Sequence, residues 1–384
     1  MENRLVVVKI GTRCLITEKG SLDLKEMDRL VEQIAHAVKQ GFKIIIVTSG
    51  AIASGIAELG VTANPKDIIF KQACASIGQS ILMVHYREMF RQRGLKVAQV
   101  LLTESDLSNR TSYLHICNVL DRLLRLEVVP IINENDVTSV NEILPVTIGY
   151  KVNFSDNDIL SALIASAIEA DLIVILSNVN GLYSKNPRKP GAELIRIVEK
   201  ITPELREVAE GRGKLGRGGM KTKLQAAEIA MQSGIPLIIA NSRRENVLID
   251  ALNGKNVGTY FKPAEKAIPR MKRWIAYGAI VKGHIYINEG ARQAILKGAS
   301  LLAIGIENVS GQFQVGDVVT LTTSDGKEFA KGITNYTSDE IKLIKGKNTS
   351  QISKILGYIR QKEIVTRKHM YLVNGGISNE QPDN

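Results

Sequence analysis

Cysteine is scarce in this chain, whose 384 residues include only Cys14, Cys74 and Cys117. None of the three belongs to a Cys-x-x-Cys pair, and their number is odd. A disulfide framework or a structural zinc site is therefore not expected. We interpret all three residues as buried free thiols, because free cysteine is among the most buried residue types.

Long apolar runs are absent as well. No stretch reaches the roughly 18 residues that a membrane-spanning helix needs. The N-terminus passes from Met1 directly into a short strand-like run and lacks the apolar core of a signal peptide. We therefore expect a cytoplasmic protein without a membrane partner.

Several common catalytic motifs are missing. The chain contains no Gly-x-x-x-x-Gly-Lys-[Ser/Thr], no His-Glu-x-x-His and no Gly-x-Ser-x-Gly, and its five histidines show no metal-binding spacing. Residues 211–216 match Gly-x-Gly-x-x-Gly, but they follow a helix pattern, whereas dinucleotide binding requires a preceding strand. These absences exclude a P-loop enzyme, and the sequence predicts no metal-ligating side chains.

Acidic residues are outnumbered, since 39 Asp and Glu face 50 Lys and Arg and give a formal charge of +11. Residues 262–384 hold 18 of the basic and 11 of the acidic residues, so the excess leans toward the C-terminal third. This charge fits either a nucleic-acid contact or an ordinary Lys-rich surface. Aromatic residues make up only 5% of the chain and are not interleaved as an RNA stacking platform would require. RNA binding or modification therefore remains an alternative function, or a secondary one.

Strand and helix patterns alternate over the first two-thirds of the chain. Short runs rich in β-branched residues predict buried strands, and apolar residues at helical spacing between them predict helices. This alternation predicts an α/β fold with an open, mainly parallel sheet sandwiched by helices. The predicted strands are Leu5–Ile10, Lys43–Val47, Lys96–Leu102, Val128–Ile132, Leu172–Leu176, Pro236–Ala240 and Thr259–Phe261, and the long predicted helices include Lys66–Arg93, Arg110–Leu126, Ile159–Glu169 and Lys221–Gln232.

The pattern changes near residue 262. Pro263 and Pro269 bracket a polar, basic stretch typical of a linker. Short segments interrupted by glycine follow, and Val318–Thr323 and Lys327–Ile333 flank a Ser-Asp-Gly turn that predicts a hairpin. We therefore predict a catalytic domain at 1–262, a linker at 263–273, a small β-rich domain at 274–360 and a partly disordered extension at 361–384.

Polar groups follow several predicted strands, where glycine loops and lysines suit a phosphate, and carboxylates and amides suit a substrate amine, ribose or magnesium. Lys9 ends the first strand, where burial requires an anionic partner unless its side chain reaches solvent. Backbone N–H groups at helix starts favour anions, and ligands collect at the carboxyl ends of parallel strands. Aspartates at helix starts can also serve only as caps. The remaining groups lie in Thr48–Ala51, Asn133–Asp136, Asp156–Asp158 and the basic glycine-rich loop Arg212–Lys223.

Taken together, these motifs resemble the amino acid kinase family, and within it the kinases that act on L-glutamate. The segment from Lys272 to about Tyr358 resembles the PUA domain that many of those kinases carry. The matching stretches in the catalytic part are Val8–Thr12, Val47–Ile52, Ile132–Asp136, Asp156–Asp158, Gly181–Tyr183 and Gly218–Ala227.

The resemblance implies an ATP-dependent kinase that phosphorylates the γ-carboxylate of L-glutamate to L-glutamyl 5-phosphate, the first step of proline biosynthesis. Because that carboxylate is ionised at neutral pH, no general base is needed. The implied catalytic residues are Lys9, Lys223 and Asp158. The implied substrate-binding residues are Ser49, Gly50, Asp136 and Asn157. The implied ATP-binding residues are Lys9, Ser177, Asn178, Arg217, Gly218, Gly219, Met220, Lys221, Thr222 and Lys223.

The resemblance also implies Mg²⁺ as cofactor with ATP, a homodimer or homotetramer, proline as a feedback inhibitor and glutamyl phosphate reductase as functional partner. Acetylglutamate kinase or another carboxylate kinase is the alternative within the family. Three departures stand out. Asn178 replaces the usual Asp, Ser155 replaces a Gly, and the segment before Asn157 is longer, with Glu142–Phe154 expected to form an extra hairpin over the glutamate site.

Overall fold

The computed structural model describes residues 4–61, 67–138, 156–187, 189–210 and 219–373. The chain divides into two compact units. The first comprises Met1–Leu107 with Thr111–Ile268, and the second comprises Ser108–Arg110 with Pro269–Asn384. The predicted hairpin Glu142–Phe154, Ser155 and the loop residues Arg217 and Gly218 lie outside the described residues.

The described part of the first unit alternates strands and helices, as the sequence predicts. Its strands are β1 (Leu5–Ile10), β2 (Lys43–Val47), β3 (Lys96–Leu102), β4 (Val128–Glu134), β5 (Leu172–Ser177), β6 (Ile197–Val198), β7 (Leu237–Asn241) and β8 (Gly258–Phe261). The helices up to residue 252, of which α5 ends and α6 begins in the Ser108–Arg110 segment of the second unit, are α1 (Thr12–Leu15), α2 (Leu24–Lys39), α3 (Ala51–Leu59), α4 (Ile68–Gln92), α5 (Glu104–Ser108), α6 (Arg110–Arg125), α7 (Asn157–Ile168), α8 (Pro203–Glu210), α9 (Gly219–Gln232) and α10 (Val247–Leu252).

In the described residues these strands form one eight-stranded sheet, in the order β3-β4-β2-β1-β5-β7-β8-β6. Neighbouring strands are parallel except β7 and β8, which are antiparallel. β1 lies between β2 and β5, and Lys9 is in register with Val47 on one side and Ile175 on the other. The carboxyl ends of these central strands therefore meet at one edge of the sheet, where ligands of such folds bind.

The core lies against the central strands. Val6, Val7 and Val8 are all fully buried, so β1 is covered on both faces. Helix α2 contributes apolar residues at helical spacing, among them Leu30 and Ile34, to the same core. β-Branched residues fit a pleated surface that is covered on both faces, which explains why continuous apolar runs rather than alternating patterns form these strands.

Helices α3 and α4 pack backbone against backbone. A Cβ added at Gly78 would lie 1.8 Å from the carbonyl oxygen of Ala51, and one at Gly55 would lie 1.9 Å from the carbonyl oxygen of Cys74. Only glycine permits this approach. The contact fixes α4 against the first turn of α3, directly after the loop that carries Ser49.

The second unit contains a separate sheet. Among the described residues its five strands have the order β10-β9-β11-β12-β13, and the predicted hairpin is present as the antiparallel pair β11 and β12. The same part of the chain also contains three helices of seven or eight residues, and the glycine-broken pattern did not predict these helices. The elements are α11 (Arg270–Arg273), a π-helical turn (Trp274–Gly278), β9 (Val281–Ile287), α12 (Glu289–Leu296), a 3-10 turn (Ala303–Gly305), β10 (Ile306–Gly311), β11 (Val318–Thr323), β12 (Glu328–Thr334), α13 (Ser338–Ile344), α14 (Thr349–Leu356) and β13 (Val365–Leu372).

The last strand, β13, lies beyond the domain end that the sequence predicts at residue 360. It pairs antiparallel with β12, and its Met370 and Leu372 belong to the buried core of this unit. The sheet therefore extends into the predicted C-terminal extension, at least as far as Leu372. Within the described part of the chain, no helix combines the length and apolarity needed to cross a bilayer.

Candidate active site

Two lysines share one buried carboxylate at the carboxyl end of β1. The Nζ atom of Lys9 lies 2.6 Å from Oδ1 of Asp158, and Nζ of Lys223 lies 2.7 Å from Oδ2. Asp158 is only 1% exposed, and both lysines are buried. We call Lys9, Asp158 and Lys223 the lysine–aspartate triad.

Three separate elements position the triad. Lys9 is the penultimate residue of β1, and Asp158 lies in the first turn of α7, where its backbone N–H donates to Oδ1 of the capping residue Asp156 at 2.8 Å. Lys223 lies in the first turns of α9 and donates to the carbonyl oxygen of Gly219 at 3.1 Å. Strand end and helix starts thus converge on one point, although the three residues are far apart in sequence.

The charges of the triad do not cancel. Burial by itself raises the pKa of Asp158, but the adjacent Lys9 and Lys223 outweigh it and hold that pKa below its ordinary value. Asp158 is therefore a carboxylate, and two cations facing one anion leave a net positive charge. A buried excess charge is costly unless a ligand of opposite sign neutralises it. The triad is suited to bind an anion.

A cavity of about 690 Å³ opens beside the triad, on the β5 side of β1. Its volume lies within the range of small-molecule sites, which run from about 300 to 1,000 Å³. Among the described residues that line it, four are cationic and none is acidic, so a polyanion fits it. The lining comprises Lys9, Gly11, Thr12, Arg13, Cys14, Ser177, Asn178, Val179, Gly181, Leu182, Tyr183, Lys185, Asn186, Pro187, Val208, Ala209, Gly219, Met220 and Lys223.

A chain of side-chain amides occupies the opposite side of β1, at the ends of β2 and β4. Nδ2 of Asn157 donates to Oγ of Ser49 at 2.9 Å and to Oδ1 of Asn133 at 3.0 Å. Nδ2 of Asn133 donates in turn to Oε1 of Gln79 at 2.8 Å. We call Gln79, Asn133 and Asn157 the amide relay. Oδ1 of Asn157 and Nε2 of Gln79 are buried and lack a hydrogen-bond partner among the described residues.

The predicted substrate-binding residues occupy this side of the site. Ser49 and Asn157 are in direct contact. Gly50 precedes α3 with a φ of 103°, a left-handed conformation that favours glycine. Asp136 lies in the turn that follows β4 and is half-buried.

The predicted nucleotide-binding residues are divided between the cavity and its surroundings. Ser177, Asn178, Gly219 and Met220 line the cavity together with both lysines of the triad. Thr222 is buried, and its hydroxyl donates to Oδ2 of Asp158 at 3.3 Å. Lys221 is exposed in the first turn of α9, and Arg217 and Gly218 lie outside the described residues.

Sequence reasoning missed Gln79 and assigned no role to Asn133. Asn133 belongs to a polar strand end that the sequence analysis singled out. Gln79 carries no such signal, since it lies in the middle of α4, where polar residues usually face solvent. The unusual feature, a buried glutamine following Gly78, becomes apparent only from the packing of α3 on α4.

The described residues of the site do not form a dedicated metal cage. Within the described residues, no group of three or more His, Cys, Asp or Glu side chains could hold a metal ion. Asp158 is engaged by two lysines and is not available as a ligand. Mg²⁺ is commonly bound through one or two carboxylates plus the phosphates and waters of its ligand, so a metal ion here would need donors from a bound ligand.

Comparison with known protein families gives two matches. A sequence model of the amino acid kinase family matches residues 4–241. A second model, that of the PUA domain, matches residues 283–356. The first match spans the elements that form the triad, the cavity and the amide relay.

Similar proteins cover nearly the whole chain. A glutamate 5-kinase of Thermoanaerobacter sp. is 44% identical over 374 residues, which cover 97% of this chain and 98% of that protein. One of Dehalococcoides mccartyi is 43% identical, with coverages of 96% and 98%. One of Methanosarcina barkeri is also 43% identical, with coverages of 95% and 95%.

Proposed function

The chain belongs to the amino acid kinase family, and from this premise we propose that it transfers the γ-phosphoryl group of ATP to the γ-carboxylate of L-glutamate. The product is L-glutamyl 5-phosphate, the first intermediate of proline biosynthesis. The name that its relatives share over nearly their full length supports this choice of substrate within the family.

The position of the triad carries the proposal. Because β1 lies between β2 and β5, the triad separates the cationic cavity from the amide relay. A polyphosphate in the cavity and a carboxylate substrate held near the relay would meet beside Lys9 and Lys223. A phosphoryl group passing between them would encounter both ammonium groups.

The chemistry needs little beyond positioning and charge neutralisation. The γ-carboxylate of glutamate has a solution pKa near 4.3 and is already a nucleophile at neutral pH. Phosphoryl transfer develops charge on the transferring group, which Lys9 and Lys223 would neutralise. Each ammonium is expected to contribute about 10²-fold in rate, as similar electrostatic groups do. Asp158 would hold both lysines in place without touching the substrate.

We assign the amide-rich side to glutamate and the cavity to ATP. On this assignment Ser49, Gly50, Asp136 and Asn157 bind glutamate. The nucleotide contacts are Lys9, Ser177, Asn178, Gly219, Met220, Lys221, Thr222 and Lys223, together with Arg217 and Gly218. The described part of the cavity lining carries four cations and no acidic residue, which favours the polyphosphate on that side.

Mg²⁺ would accompany ATP, and when bound it would neutralise charge on the nucleotide phosphates. The acyl phosphate product is labile, so a reductase that consumes it would act next. We propose further that the enzyme is a homo-oligomer and that proline regulates it. In domain terms, residues 1–262 would form the kinase domain, and the second unit would carry the PUA domain.

A hydroxamate assay tests the activity. Purified protein, ATP, Mg²⁺ and hydroxylamine should give glutamyl hydroxamate from L-glutamate, and omission of ATP should abolish the signal. The same assay with N-acetyl-L-glutamate and L-aspartate distinguishes other carboxylate kinases. Turnover of either of these in place of L-glutamate would contradict the proposed substrate.

A further inference from the structure

Gln79 lies close to the proposed glutamate site without belonging to its surface. It is 8% exposed and projects from α4, and the contact of Gly78 with the Ala51 carbonyl fixes this part of the helix. Its Oε1 accepts the hydrogen bond from Asn133. The relay therefore connects a rigid helix pair to Asn157, which the proposed function places against the substrate.

A relay of amides has a direction. Each amide offers an acceptor oxygen and a donor nitrogen. In the observed direction Gln79 accepts, Asn133 accepts from Asn157 and donates to Gln79, and the Asn157 oxygen remains without a partner among the described residues. In the opposite direction Gln79 would donate, and the nitrogen of Asn157 would be the unpaired group. The orientation of the Gln79 amide is thus coupled to the atom of Asn157 that faces the site.

We propose that Gln79 is a positioning residue that, through Asn133, directs the Asn157 oxygen toward the ammonium group of the substrate. This inference rests on the proposed function, because it assigns the unpaired oxygen to an amino acid bound beside the triad. A buried acceptor without a partner is costly, so a ligand that donates a hydrogen bond there is favoured. An ammonium group is such a donor, whereas a carboxylate is not.

Two substitutions of Gln79 distinguish an effect on the hydrogen-bond direction of the amide relay from an effect on side-chain packing. Gln79→Met keeps the length of the side chain but can neither donate a hydrogen bond to Asn133 nor accept one from it. The hydrogen-bond direction of the amide relay is then no longer fixed. Gln79→Glu keeps the acceptor, since a carboxylate only accepts, and it holds the observed direction. Gln92→Met is the matched control, because Gln92 lies on the same helix and is exposed.

The decisive measurement compares L-glutamate with glutarate, which has both carboxylates but lacks the ammonium group. For Gln79→Met we expect the KM for L-glutamate to rise about fivefold to tenfold, as the loss of one buried hydrogen bond predicts. The KM values for glutarate and for ATP should change by less than about twofold, because neither ligand uses the Asn157 oxygen. Gln79→Glu should restore most of the preference for L-glutamate.

The outcomes distinguish this inference from the proposed function. Equal increases in the KM values for L-glutamate and glutarate would show that Gln79 acts only through packing. An unchanged preference for L-glutamate over glutarate in Gln79→Met would overturn the inference while the kinase assignment stands. A wild-type protein that fails to phosphorylate L-glutamate would instead overturn the proposed function. Calorimetric titration of each variant with L-glutamate, without ATP, checks the affinity directly where turnover is too low.

Discussion

Lys9 and Lys223 contact different oxygens of the same carboxylate, at 2.6 Å and 2.7 Å from Asp158. One lysine comes from a strand and the other from a helix, so the spacing of the two ammonium groups depends on the single aspartate between them. This arrangement leads to separate expectations for the lysines and for the aspartate.

Replacing Lys223 should affect turnover more than folding. In Lys223→Ala, Asp158 keeps Lys9 as its counter-charge, but the transferring phosphoryl group loses one of its two cations. We expect kcat to fall by about 10²-fold or more, as losses of comparable electrostatic groups do. Steady-state kinetics and circular dichroism provide the measurement.

Lys39→Ala serves as the control for this change, since Lys39 is exposed at the end of α2. It should leave kcat unchanged. A Lys223→Ala enzyme with near-normal turnover would remove that lysine from the mechanism.

Replacing Asp158 should affect stability in a pH-dependent way. Asp158→Asn leaves two buried lysines without their anion, and breaking a buried pair in this manner costs about 3–5 kcal/mol. Because the pKa of Asp158 is lowered in the folded state, its contribution to stability is present above the unfolded pKa near 3.9 and is lost as the pH falls through the folded value.

Urea unfolding at a series of pH values measures this effect. The wild type should be more stable than Asp158→Asn at pH 7, and the difference should shrink below about pH 4. A difference that stays constant down to pH 2 would contradict an ionised, lysine-paired Asp158.

Ser49 should contribute to glutamate affinity. Its hydroxyl accepts a hydrogen bond from Asn157 at 2.9 Å, and removal of one hydrogen bond costs roughly 0.5–1.5 kcal/mol. Ser49→Ala should therefore raise the KM for L-glutamate by about 2- to 12-fold and leave the KM for ATP unaltered. Ser80→Ala, on the exposed side of α4, is the control. Parallel increases in both KM values would place Ser49 in a structural role.

The close contact of α3 and α4 should tolerate no side chain at Gly78. In Gly78→Ala the new Cβ would meet the Ala51 carbonyl oxygen at 1.8 Å, so the helices must separate. We expect a lower melting temperature and a higher KM for L-glutamate, because Gln79 and the loop containing Ser49 move with these helices. Overpacking of this kind typically costs about 1–3 kcal/mol.

Gly290→Ala is the matched control. Gly290 lies in α12, and an added Cβ there would only meet Oδ1 of Asn288 at 3.4 Å. Alanine is the better helix former, so this variant should be at least as stable as the wild type. Equal melting temperatures for the Gly78 and Gly290 variants would show that the helix contact can relax.

The fold of the catalytic part follows closely from sequence patterns. Strands such as Leu5–Ile10 and Lys43–Val47 have the predicted bounds, because a buried parallel strand requires a continuous β-branched run. The strand Thr259–Phe261 was predicted, but its antiparallel pairing with β7 was not. The helices of the second unit were not predicted either, since short elements lack a clear period. The strand Val365–Leu372 was missed because its polar residues alternate with few apolar ones.

The candidate site was likewise predicted only in part from the sequence. The sequence alone left two possibilities for Lys9, a side chain that reaches solvent or a buried one with an anionic partner, because a lysine cannot be buried uncompensated. The structure shows the second. Family resemblance supplied Asp158 and Lys223, and the structure brings these three residues together. The predicted roles of all the site residues remain predictions, and Arg217, Gly218 and residues 139–155 also lie outside the described part of the chain.

The sequence by itself determined which polar loops follow strands and the chemistry of their side chains, because these depend on local period and residue type. Tertiary structure alone decided that one carboxylate is shared by Lys9 and Lys223, and that Gln79 reaches Asn133 across 54 positions of sequence. The physical reason is that such contacts depend on backbone packing, here the approach of Gly78 to Ala51, which leaves no periodic signal in the residues that it brings together.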